Sequence, residues 1–149
     1  MELALYSIRV WGQMDFRDEL YFLFLTIEQE AGSEPYEGQL AVAYVVMNRC
    51  DFSKASVIDT VLRNMQFSCW NADSPTRLNI DTMPFEVMRS CFKAAAAAYF
   101  RLVDDPTKGA SHYLNEEMTK KLRGGYLPGW FDKTKITARI GRHTFLKLQ

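Results

Sequence analysis

Four carboxylates stand within ten residues of one another: Glu28, Glu30, Glu34 and Glu37. They crowd a break in the chain built from Gly32, Ser33 and Pro35. A carboxyl group works as a general acid or base when its surroundings set it apart from a solvated surface group. Spacing singles out Glu30. Phe16, Leu20, Leu23, Phe24 and Ile27 recur at intervals of three and four, which predicts a helix with one buried face. Glu30 continues the line of Leu23 and Ile27 and lies nearer the middle of that stripe than Glu28. Gly32 stops the helix, so Glu30 falls in its last turn, where the macrodipole and partial burial both disfavour an anion. A carboxyl so placed suits a proton donor. A solvated acidic helix end explains the same residues, and on this pattern alone both readings stand.

Other chemistries find less to work with. The chain has two histidines, His112 and His143, without the spacing of a HExxH motif. Its three cysteines, Cys50, Cys69 and Cys91, are far apart and form neither a metal-ligand nor a redox motif. They read as reduced thiols, Cys69 being the one to which a reactive role would fall. No serine sits in a nucleophile-elbow context and no Cys-His signature is present. No metal and no cofactor is therefore expected; a mixed histidine and carboxylate site is the alternative.

The elements that must position these residues follow from the pattern. Asp15 is a candidate N-cap for the first helix. A second helix is predicted from about Pro35 to Arg49, apolar almost all round, which places it in the middle of the fold. Ser56 caps a short helix, Val57 to Asn64. A loop rich in Asn, Ser, Asp and Pro runs from Met65 to Met83, a length that usually signals function. Pro84 opens a long helix through Phe100, with Met88, Phe92, Ala95 and Tyr99 on one face. Ala110 to Asn115 reads as extended, Glu116 to Arg123 as a helical turn, and Lys135 to Leu148 as a hairpin turning at Gly141. Met1 to Gln13 fits a short helix or an arm against the core.

At 149 residues the chain fits one compact domain, 1–149, and a hydrophobic share of 48% can fill its core. Eighteen basic and eighteen acidic residues cancel, so no basic field invites nucleic acid. No signal-peptide pattern is found at the N-terminus, and the apolar run Tyr21 to Ile27 is far short of the ~20 residues that span a bilayer. No stable membrane insertion is expected.

Several segments resemble the SleB-type cell wall hydrolases, the spore cortex-lytic enzymes and their phage relatives. They are Glu30-Ala31-x-x-Glu34-Pro35-Tyr36-Glu37-Gly38-Gln39, continuing through Ala41-Val42-Ala43 and Val45-Val46 to Asn48-Arg49; then Gln66-Phe67-Ser68-Cys69-Trp70-Asn71; then His112-Tyr113-x-Asn115; then Trp130; then Ile140-Gly141-x-His143-Thr144-Phe145. The order agrees over nearly the whole chain, from Thr26 to Leu148. The resemblance implies that Glu30 is the catalytic acid. The chain departs from the family around it: Gln29 stands where Gly or Ala is usual, and Gly32-Ser33 where Arg-Gly is usual.

The resemblance implies a lysozyme-like α+β fold, mainly helical, with a short strand and a C-terminal β-hairpin lining a cleft. It implies peptidoglycan glycan strands as the partner and cleavage between N-acetylmuramic acid and N-acetylglucosamine. Sugar grooves need aromatic faces and amide or hydroxyl partners. Trp70, Asn71, Tyr113 and Asn115 are the expected substrate-binding residues, with a core plug as the other reading of Trp70. Strand alternation puts Tyr113 and Asn115 on one face and His112 on the other. Glu34 and Glu37 are the nearest candidates for a second carboxylate, yet capping or the N-terminal dipole of the next helix explains both. A single-glutamate lytic transglycosylase is thus expected, made in the cytoplasm and reaching the wall as a holin-released phage endolysin or in a phage particle. A hydrolytic muramidase, a non-catalytic glycan-binding module and a metal-dependent amidase are the alternatives.

Overall fold

The computed structural model describes residues 15–63, 67–70 and 82–149. Residues 1–13, Asn71 and most of the predicted 65–83 loop lie outside the described residues.

Helix α1 spans Phe16–Ala31, its N-terminus capped by Asp15, whose carboxylate accepts from the Arg17 N–H at 3.1 Å. Leu20, Leu23, Phe24 and Ile27 are buried, as the stripe predicts, while Phe16 at its outer end is exposed and meets the edge of Phe100. The helix stops at Gly32, where a β-carbon would lie 2.4 Å from the Glu28 carbonyl oxygen. Only glycine fits this close turn.

Helix α2, Tyr36–Ser53, begins after Pro35 and is buried along most of its length. It runs four residues past the predicted end at Arg49, because nothing before Lys54, which adopts a left-handed φ of 52°, breaks it. It packs against α1, against α3 (Val57–Leu62) and against α4 (Phe85–Tyr99). Ser56 caps α3 as expected, and buried Glu19 adds a second cap by accepting from the Val57 and Ile58 N–H groups at 3.1 and 3.0 Å. α3 ends at Leu62, two residues early. In α4 Cys91, Ala94, Ala95 and Ala98 are buried; of the predicted face Ala95 is buried and Met88 and Tyr99 pack against the core, while Phe92 is half exposed. The alanine run lets the helices approach on their smallest side chains, and this turns Phe92 outward against the edge of Phe24.

The sheet has the order β1-β3-β2, all antiparallel: β1 is His112–Leu114, β2 Ile136–Ile140 and β3 His143–Leu146. β2 and β3 form the predicted hairpin, turning at Gly141 (φ 58°). Helix α5, Glu116–Leu122, joins β1 to the hairpin and buries none of its residues. The fold is mainly helical α+β. Among the described residues no helix is long and apolar enough to cross a membrane.

Candidate active site

The last turn of α1 and the middle of β1 meet at one hydrogen bond. The Tyr113 hydroxyl donates to Glu30 Oε2 at 2.9 Å. Strand alternation aims Tyr113 at the helices and His112 the other way. Register fixes the tyrosine further: it pairs with Phe145 across the sheet, its ring 5.8 Å from that of Phe145 and edge-on to His143 at 5.2 Å. Burial pushes the Tyr113 phenol well up, and the Glu30 charge and their hydrogen bond push the same way, against the opposing Arg49 charge. Tyr113 is therefore a committed donor to Glu30.

Arg49 and Cys69 complete the surroundings. The Arg49 Nε donates to the Ser111 carbonyl at 2.6 Å, and its guanidinium lies 4.9 Å from the centre of the Phe67 ring. Burial lowers its pKa, while the charges of Tyr113 and Glu30 raise it, which places a cation within electrostatic reach of both. The buried Cys69 thiol is pushed up to about 12, by burial first and then by the charge of Glu30 and a hydrogen bond to it. It remains an S–H and is no nucleophile at neutral pH.

Trp70 packs one turn earlier on α1. Its indole N–H donates to Thr26 Oγ1 at 2.9 Å and its ring stacks on Phe22 at 5.3 Å. Thr26 and Glu30 are four residues apart and so share a helix face. Asn115 lies just past β1, where its side-chain oxygen caps α5 by accepting from the Met118 N–H at 3.0 Å. The structure thus brings Glu30 and Tyr113 into contact and sets Trp70 close by; Asn115 is engaged with α5. Asn71 lies outside the described residues.

Of the neighbouring carboxylates, Glu34 departs from the capping account. Glu34 is not a helix cap: α2 has no side-chain cap, and the Glu34 carboxylate faces the β2–β3 turn instead. Arg142 grips it, Nε at 2.9 Å and Nη2 at 2.8 Å from Oε1, and also reaches Ser33 Oγ at 3.2 Å. A β-carbon on Gly141 would come within 3.1 Å of Glu34 Oε2, so turn and carboxylate are fitted to each other. Glu37 is exposed in the first turn of α2, where the helix dipole favours it. Glu28 accepts from Gln29 Nε2 at 2.8 Å.

His112 and His143 sit on opposite faces of the sheet, as the pairing of His112 with Leu146 requires. They cannot join in one metal site. Among the described residues no group of three His, Cys, Asp or Glu side chains is placed to hold a metal. Burial lowers the His143 pKa, and its Nδ1 is buried without a hydrogen-bond partner.

The sequence model of the cell wall hydrolases matches residues 33–146. The chain belongs to the cell wall hydrolase family, of the SleB type. No curated protein and no solved structure matches it significantly. Its substrate class is peptidoglycan. The matched span begins three residues after Glu30 and takes in Arg49, Trp70, Tyr113, Asn115 and Arg142.

Sequence reasoning gave two neighbours of Glu30, Arg49 and Cys69, no role beside it. Arg49 carried a signal, being a cation at the end of an otherwise apolar helix, where burial demands partners. Cys69 stood out as the thiol to which a reactive role would fall and by its place in the Phe67-Ser68-Cys69-Trp70 segment.

Proposed function

We propose that this cell wall hydrolase cleaves the glycosidic bond between N-acetylmuramic acid and N-acetylglucosamine, with Glu30 as the sole acid–base group. The observation that carries the proposal is the Tyr113 to Glu30 hydrogen bond. With Oε2 held by the Tyr113 hydroxyl, the proton of the neutral acid belongs on Oε1. Glu30 gives that proton to the glycosidic oxygen, and the bond to the muramic C1 breaks toward an oxocarbenium-like sugar. The Tyr113 O–H and the nearby Arg49 charge stabilise the carboxylate that results. Glu30 then takes the proton of the muramic C6 hydroxyl, whose oxygen attacks C1 and closes a 1,6-anhydro ring.

The state of the neighbouring carboxylates supports this course over hydrolysis. A hydrolase needs a second carboxylate to activate water or trap the sugar. Glu34 is committed to Arg142 and Glu37 is exposed at the start of α2. The C6 hydroxyl, by contrast, is held next to C1 by its own ring. Mass spectrometry of digested sacculi tests the proposal: anhydro-muropeptides, resistant to borohydride, are expected. Reducing muramic ends as the main product would refute it. The proposed setting is phage or prophage lysis, for which intracellular expression should lyse cells only when a holin is co-expressed.

A further inference from the structure

The segment Ile140-Gly141-x-His143-Thr144-Phe145 is part of the family resemblance, and the cleavage reaction gives its histidine no task. His143 stands two residues before Phe145 on β3, so the two side chains share a face of the sheet. Phe145 pairs with Tyr113, and that face is the one turned to Glu30. The Tyr113 ring thus has two walls. Phe145 lies 5.8 Å from it at a tilt of 32°, and His143 meets it edge to face, 5.2 Å away at 84°.

A phenyl ring would make the second wall at less cost. His143 Nδ1 is buried and, among the described residues, has no hydrogen-bond partner. An unmet buried nitrogen costs stability that an apolar ring of the same shape does not, which points to a use for the imidazole beyond packing.

The same nitrogen sets the charge of the ring. An imidazolium carries N–H on both nitrogens, and here one of them would be buried and unmet. Burial lowers the His143 pKa below the ordinary 6.5; the Glu34 charge opposes this and the Arg142 charge adds to it. The ring that faces Tyr113 is therefore neutral at neutral pH, and acid changes that. The groups set around it are Tyr113 on β1, Glu34 in the loop between α1 and α2, and Arg142 in its own turn. Glu34 is the anion among them. Arg142 holds its Oε1, while Oε2 lies beside Gly141, two residues from His143. An imidazolium is drawn to that carboxylate and away from the phenol.

We propose that His143 is a positioning residue for the acid: its neutral ring is the wall that keeps the Tyr113 hydroxyl on Glu30, and acid undoes that hold by drawing the ring to Glu34. The inference rests on the glycan-cleaving reading of Glu30 and adds the condition under which Glu30 keeps its donor.

Strand cleavage followed as kcat and KM from about pH 4 to 8 tests it. A single glutamic acid that starts protonated gives no acid limb of its own, so a fall of wild-type kcat below pH 6.5 belongs to His143. His143→Ala removes the wall and should lower kcat by up to about tenfold, the loss set by the donor itself, with KM held. His143→Phe rebuilds the wall without a proton site; it should recover most of that kcat and lose the acid limb. Neither substitution should slow Tyr113→Phe further, because His143 acts through the tyrosine hydroxyl. Carbon-13 at the Tyr113 carbon that bears the hydroxyl reads the hydrogen bond without turnover, and does so in Glu30→Gln, where no acid titrates at its acceptor. Its line should shift there below pH 6.5 and stay in place once His143→Phe is added. If the line behaves so while Glu30→Gln still cleaves strands, the positioning role stands and the glycan-cleaving reading falls. An acid limb or a shifting line that survives in His143→Phe overturns the positioning role. So does equal slowing by His143→Ala with and without the tyrosine hydroxyl, the mark of a histidine that only packs.

Discussion

Replacing Arg142 by alanine cuts the link between the β2–β3 turn and the loop that follows Glu30. The Glu34 side chain it leaves behind is 5% exposed and would lose its charged partner. Hydrogen bonds to a charged group contribute about 1.5–3 kcal/mol. The Arg142 side chain is 60% exposed, so water already competes for it, and the loss belongs in the lower half, about 2 kcal/mol. In a domain of this size each kcal/mol shifts Tm by about 2–4 °C, so a fall of roughly 4–8 °C is expected. Glu34→Gln should cost less, because the amide oxygen still accepts. The double variant should fall short of the sum, as it does when two side chains serve one interaction. Thermal unfolding followed by circular dichroism gives these numbers, and turbidity clearing of purified walls gives the rate per folded molecule. Both single variants should clear walls within about threefold of wild type, since neither residue is asked to move a proton. A Glu34→Gln variant with unchanged Tm and a rate down about 100-fold would refute the reasoning and make Glu34 a catalytic carboxylate.

Three further outcomes are expected. Tyr113→Phe removes the donor to Glu30 and should slow strand cleavage about tenfold or more; an unchanged kcat would remove Tyr113 from the site. Asn115→Ala should lose about 1 kcal/mol as a helix cap, read as faster hydrogen exchange at the start of α5, whereas weaker strand binding with intact stability would make Asn115 a sugar contact. Burial pushes the thiols of Cys50 up to about 11 and of Cys69 and Cys91 up to about 12, so at pH 8 all three are protonated. Iodoacetamide should label them only after unfolding, and rapid labelling of the native chain at Cys69 would contradict the burial argument.

Local signals made most of the helical frame legible. Asp15, Gly32, Pro35, Ser56 and Pro84 mark helix ends through their own backbone and capping chemistry, and each stands where its type predicts. On α4 only Phe92 was misplaced, because a run of alanines is apolar in every direction; packing distance, not periodicity, chose Cys91 and Ala94 over it. Glu30 was visible as a carboxylate on an apolar line. Its bond to Tyr113 was not, since no local pattern names a partner 83 residues away. Arg142 was missed for the same reason: in sequence it is one more polar residue in a turn, and only the fold sets it against Glu34.

The middle strand of the sheet is the last of the three to be synthesised. β1 sits at the edge, and its one neighbour, β3, lies beyond α5 and β2 in the chain. While a ribosome is still adding residues 143–146, Tyr113 has no strand beside it to fix its direction, and the helices fold ahead of it. Glu30 is in place early, its partner only at the end. The growing polypeptide therefore carries Glu30 on its helical frame before Tyr113 has the strand that directs it. Timing is built into the strand order: β3, the strand that pairs with β1 and directs Tyr113 at Glu30, is the last to leave the ribosome.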